Sequence, residues 1–184
     1  MYEEIYENLP NLDWGNIKSQ QRHPARGQWR WWEKRTRESV YGFQCQHCQA
    51  YVYSQPAFSG VQSRNHCPFC LWSRHVDLYQ AGDRMSACKA IMQPIGLTLK
   101  REHNKYGDGS NGELMLIHRC DECGKLSINR VAADDLSERL MDIFHASAGL
   151  DTPTQEKLAA SGIRLLQGED AKLVTSRLHG INLN

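Results

Sequence analysis

An α+β fold, β-rich at its centre and helical toward its C-terminal end, is predicted by three observations. Residues 41–131 are dense in turn formers and short β-prone runs, with little helical periodicity. From Asp135 onward, apolar residues recur at helical spacing. Six of the seven cysteines stand in three Cys-x-x-Cys pairs, Cys45/Cys48, Cys67/Cys70 and Cys120/Cys123, all inside the β-rich centre. The 184 residues divide accordingly into an N-terminal arm over 1–40, a central domain over 41–133 and a helical extension over 134–184.

The arm is split by charge. Residues 1–17 carry four acids and no base, and residues 18–40 carry seven bases and two acids. Here Arg26, Arg30, Lys34, Arg35 and Arg37 are interleaved with Trp29, Trp31 and Trp32. Such a mixture supplies cations for phosphates and flat rings for unpaired bases. It also reads as an amphipathic stretch that packs its tryptophans on the protein and solvates its arginines. The net charge of +1 excludes a globally basic protein but leaves room for this local patch.

In the centre, Tyr51-Val52-Tyr53, Ile95 to Leu99, Leu114 to His118 and Leu126 to Val131 read as strands. Residues 105–112 are almost wholly turn formers, so strands over 94–102 and 113–119 are expected to form a hairpin. Beyond them, Asp135-Leu136-Ser137-Glu138 has capping-box spacing, with Asp134-Asp135 read as a helix N-cap. Thr152-Pro153 places a proline just inside the start of a second helix, and 169–179 form a third. The longest apolar run is Leu114 to Ile117, four residues, where a membrane-spanning helix needs about 20. An acidic N-terminus without a signal-peptide pattern completes the expectation of a soluble, cytoplasmic chain with no membrane contact.

An odd number of cysteines argues against a closed disulfide framework, and three Cys-x-x-Cys pairs outside any βαβ pattern argue against a redox dithiol. Tetrahedral zinc accounts for them better, since one tight turn supplies two thiolates. Cys45, Cys48, Cys67 and Cys70, with eighteen residues between the pairs, make one closed site. Cys120 and Cys123 with Cys88 begin a second, whose fourth ligand is His75 or His118. Pairing 67/70 with 120/123 is the other possibility, disfavoured by the entropy of closing the longer loop. The expectation is therefore two zinc ions and a tandem, zinc ribbon-like core. Structural zinc contributes roughly 10–16 kcal/mol in small peptides, which would offset a core drawn from only 40% apolar residues.

Arg64-Asn65-His66-Cys67-Pro68-Phe69-Cys70-Leu71, then Ser73, His75-Val76-Asp77 and Gly82-Asp83-Arg84, resembles the RNHCP domain family, which is named for that motif. The likeness continues through Cys88, Met92-Gln93-Pro94, His118-Arg119-Cys120, Cys123-Gly124 and Asn129-Arg130 to Asp134-Asp135, covering roughly 43–135. Ala81 stands where the family usually has Pro, and Lys89-Ala90 stand where Gly is usual. The resemblance implies a small bacterial-type zinc protein, without supplying an activity.

Three functions compete. The first is a non-catalytic zinc-binding accessory protein on RNA, ribosome- or ribonucleoprotein-bound, in which Arg64, Asn65, Arg119 and Arg130, with Arg74, Arg84 and Asn129, extend the patch of the arm over the ribbon. The second is a docking module on a large assembly such as RNA polymerase, using 1–17 and 134–184 as protein contacts. The third is a metal-dependent nuclease using Asn65-His66 and His75-Val76-Asp77, which requires an open coordination position. His66 is read as hydrogen-bonding a thiolate or the backbone beside Cys67.

Overall fold

The computed structural model describes residues 42–101 and 112–180. The Trp-rich segment, the acidic residues 1–17 and most of the 105–112 turn lie outside the described residues. A two-stranded antiparallel ribbon, β1 (Gly42–Gln44) and β2 (Tyr51–Tyr53), brackets the first Cys-x-x-Cys turn. A single helical turn, α1 (Pro56–Ser59), leads to the second. Four antiparallel strands follow in the order β3 (Ser73–Arg74), β4 (Ile91–Arg101), β5 (Gly112–Cys120) and β6 (Leu126–Arg130). The expected hairpin is β4 with β5, and its register slips between Pro94 and Gly96. That irregularity accommodates a proline, which has no N–H to give to a ladder.

The β5 run Leu114 to Ile117 is buried without alternation, because both sheet faces are covered. On one side Leu97, Leu114 and Leu116 pack with Leu140 and Phe144 of α2 (Ser137–Ala146), Leu166, and Val174 of α4 (Ala171–His179). On the other, Ile95 and Ile117 pack with Leu158 of α3 (Thr152–Ala160). A third, small cluster, Cys45, Val52 and Cys67, lies within the ribbon. The helical C-terminal region thus closes the sheet's core. At full burial each such leucine or isoleucine contributes about 1.5–3 kcal/mol.

The helix starts follow local chemistry, with one correction. Asp151 caps α3 by accepting from Thr154 N at 2.7 Å, and Pro153 sits inside the first turn. No side chain caps α2: its N-cap residue is Leu136, and Asp135 spends its carboxylate elsewhere. No helix among the described residues is long and apolar enough to cross a membrane.

Candidate functional site

All three Cys-x-x-Cys pairs make the same turn. The first cysteine's N–H donates to the carbonyl five residues on: Cys45 to Ala50 at 2.8 Å, Cys67 to Trp72 at 2.9 Å and Cys120 to Lys125 at 2.9 Å. Its carbonyl accepts from the residue four on: Gln49 N at 3.0 Å, Leu71 N at 2.8 Å and Gly124 N at 2.9 Å. That fourth residue is left-handed each time, with φ of 64° at Gln49, 62° at Leu71 and 66° at Gly124. Only Gly124 takes this region without a Cβ clash; the other two bear a cost of roughly 1–2 kcal/mol each. The reversal aims both sulfurs of a pair to one side.

The turns converge in two tetrads, in each of which the four donor atoms lie within 4.8 Å of one another. In the first, Cys45 Sγ is 3.6 Å from Cys70 Sγ and Cys48 Sγ is 3.6 Å from Cys67 Sγ. In the second, Cys88 Sγ is 3.6 Å from Cys120 Sγ, and Cys123 Sγ is 3.3 Å from His75 Nδ1. A tetrahedron with metal–sulfur bonds of about 2.3 Å has edges near 3.8 Å, and a sulfur–nitrogen edge near 3.6 Å. The donor sets and spacings fit zinc at both places. The second tetrad forms at one end of the sheet: His75 follows β3, Cys88 precedes β4, and Cys120 and Cys123 make the β5–β6 turn. His75 N donates to Ala90 O at 2.8 Å and Lys89 N to His75 O at 3.2 Å, which fastens those two segments together. Lys89, between Cys88 and β4, is left-handed with φ of 55°.

Burial and local dipoles divide the thiols of each tetrad. Burial pushes Cys67 up to about 11 and Cys70 further up, and it also raises Cys120. Cys48 is held below the usual thiol value, because hydrogen bonds from Ala50 and the neighbouring thiols outweigh its burial. Cys123 is lowered by the backbone N–H of Lys125. Buried thiolates of this kind need a cation beside them, so metal binding displaces protons.

His118 is not a ligand. It is fully buried, its Nε2–H donates to Leu71 O at 2.7 Å, and its Nδ1 accepts from Asn129 Nδ2 at 2.8 Å. It points inward with Cys120, as the alternation of a strand requires, but its ring reaches the second Cys-x-x-Cys turn instead of the second tetrad. Burial, with the nearby His66 as a lesser cause, lowers it to about 3 and keeps it neutral.

Arg64 is a correction to the expected nucleic-acid surface. Its guanidinium is wholly buried, donating through NH1 to both oxygens of Asp134 at 2.7 Å and through NH2 to Asp135 Oδ1 at 3.1 Å. His66 is a second correction: its Nε2 bonds Asp135 at 2.8 Å, not a thiolate or the backbone. Asp135 also accepts from Ala132 N at 2.7 Å. These groups clasp the ribbon to the β6–α2 junction. The backbone carbonyl of Asn65 accepts from Ser73 Oγ at 3.1 Å. Arg119 is half-buried and bonds Thr154 Oγ1 at 3.0 Å, and the exposed Arg130 is paired with Glu113 at 2.9 Å. Asp77 accepts from the backbone of Gly82 and Arg84 and shapes a loop. The Arg64 guanidinium, buried and paired, is therefore not part of an open cationic surface. Arg26, Trp29, Arg30, Trp31, Trp32, Lys34, Arg35 and Arg37 lie outside the described residues.

What sequence reasoning missed is an aromatic surface on the ribbon. Tyr51, Tyr53 and Phe58 are 44%, 56% and 63% exposed. The tyrosine rings are 5.2 Å apart, edge to face, and Phe58 is 6.2 Å from Tyr53. The signal lies in Tyr51-Val52-Tyr53: alternation puts Val52 inward and both tyrosines on one outer face.

Two four-ligand sites built from ribbon-like turns, on a small antiparallel sheet closed by helices, define a zinc-binding module. The chain belongs to the RNHCP domain family, whose model matches residues 40–141, more than half of its 184 residues. No curated protein and no solved structure matches it.

Proposed function

We propose that this protein is a zinc-stabilised accessory module that binds single-stranded RNA within a ribonucleoprotein. The carrying observation is the exposed Tyr51–Tyr53–Phe58 surface on a ribbon whose residues 42–74 include no Asp or Glu. Unpaired bases stack on such rings, and no carboxylate of that stretch repels the phosphates between them. The basic, Trp-rich 26–37 precedes the ribbon in the chain and supplies the cations that the reading needs.

The test is fluorescence anisotropy of the zinc-loaded full chain on a single-stranded RNA oligonucleotide, with Tyr53→Ala and Phe58→Ala combined. Both side chains are exposed, so thermal stability should hold while affinity falls by about 1–3 kcal/mol per missing base stack. Undiminished binding by this variant would remove the carrying observation. A second reading, docking on a protein, is favoured by the absence of Lys, Arg, Asp and Glu from 42–63, since interface cores are poor in charge and rich in aromatics. It predicts no RNA affinity and a protein partner that the same variant fails to hold.

A further inference from the structure

We infer that the second tetrad is a peroxide-sensitive thiol site, in which Cys120 forms a disulfide with an exposed neighbouring cysteine and the ligand set is dismantled while the first tetrad survives. This is independent of what the protein binds.

Three observations separate the sites. In the second tetrad two of the three sulfur ligands, Cys88 and Cys123, are exposed residues, whereas in the first only Cys48 of four is exposed. Oxidants must reach a sulfur to attack it, and reactive cysteines sit in accessible, electropositive surroundings. Lys125 follows Cys123 by two residues, with its Nζ bonded to the carbonyl of Leu78, three residues past His75, and Lys89 follows Cys88 directly. The ribbon over 42–63, which carries Cys48, has no Lys or Arg. The third observation is His75 itself. Its Nδ1 faces Cys123, and its buried Nε2 has no hydrogen-bond partner among the described residues. A ligating imidazole is ordinarily fixed by an acceptor on its other nitrogen, and losing that acceptor weakens metal affinity about 10–100-fold.

Cys120 is placed to resolve the first oxidation. It is buried, 3.6 Å from Cys88 Sγ, and shares a four-residue turn with Cys123. A peroxide gives one oxygen to the exposed thiolate: the O–O bond breaks, an S–O bond forms, and hydroxide leaves. The Cys120 thiolate then attacks that sulfenic sulfur, forms the S–S bond and expels a second hydroxide. Two thiolates have given two electrons to one peroxide. One cysteine and His75 remain, too few to hold a tetrahedral ion. The place released is where the ends of β3, β4 and the β5–β6 turn are tied, so the end of the sheet loosens.

The experiment treats the two-zinc full chain with hydrogen peroxide and follows released zinc with a chromogenic chelator, mapping disulfides by peptide mass spectrometry. The expected result is release of one ion per chain, roughly tenfold faster than any second ion on the strength of the weaker imidazole ligation. Disulfides should contain Cys120, with Cys45, Cys48, Cys67 and Cys70 still reduced. A thiol reductant and added zinc should restore the starting state. Lys125→Gln, which removes the charge but keeps a donor for the carbonyl of Leu78, should hold both ions and react several-fold more slowly. Release of neither ion, release of both with one rate, or a first disulfide among Cys45 to Cys70 would each overturn the inference.

Discussion

Asp135 answers three buried donors at once: the Arg64 guanidinium, His66 Nε2 and the N–H of Ala132. Removing one member of a buried pair leaves the others charged or polar with no water to replace it, at about 3–5 kcal/mol. Asp135→Ala should lose that much stability by chemical denaturation. Asp134→Ala should lose less, because its carboxylate is 39% exposed and solvent screens it. Equal losses would mean that the clasp does not hold the fold through Asp135. His118 sets a pH dependence. Its folded value near 3 lies below the ordinary 6.5, so below pH 6.5 the unfolded chain binds a proton that the folded chain refuses. Stability is therefore present above 6.5 and lost as pH falls toward 3, by up to about 1.4 kcal/mol per pH unit. In zinc-saturated protein, the stability advantage of wild type over His118→Gln should shrink by about 2 kcal/mol from pH 6.5 to 5. A constant advantage over that window would refute the assignment.

At the scale of elements, each metal centre governs different secondary structure. The first tetrad ties the β1–β2 turn to the Cys67–Cys70 turn before β3, and the second ties the end of the four-stranded sheet. Elemental analysis of the native chain should return two zinc ions. Cys45→Ser should return one and melt the ribbon, and Cys120→Ser should return one and loosen the sheet at β3 and the β5–β6 turn, as read by amide hydrogen exchange. Loss of both ions in either variant would mean a single cooperative centre. The sequence makes these turns legible because a Cys-x-x-Cys pair fixes its own hydrogen bonds within six residues, and the β4–β5 hairpin because Leu114 to Ile117 and the flanking turn formers are local signals. The two-residue β3 is not legible, since it forms by pairing with Met92 and Ile91 on one side and bridging to His66 on the other. The same holds for the clasp. Arg64 meets Asp134 across 70 residues, and nothing near either one announces the other. Asp135 therefore resembles a helix cap in the sequence, the most local use of its carboxylate.

For the whole molecule, the balance of charge decides between an RNA and a protein partner. Net charge is only +1, but residues 18–40 hold seven bases against two acids. If the arm neutralises on the order of four or five phosphates, log affinity for single-stranded RNA should fall against log salt with a slope of roughly −3 to −3.5, because each neutralised phosphate releases condensed counterions. Arg30→Ala combined with Arg35→Ala should flatten that slope by ~0.7 for each phosphate no longer neutralised. Trp31→Ala should weaken binding by ~1–3 kcal/mol and leave the slope nearly unchanged, since stacking releases no ions. If Trp31 is instead packed into the protein, the substitution lowers the melting temperature, and affinity changes only with unfolding. Melting temperature and salt-dependent affinity measured on the same two variants separate these outcomes. A salt-independent interaction, or none below ~100 μM at low salt, would be too weak for phosphate-driven binding and would leave protein docking as the function.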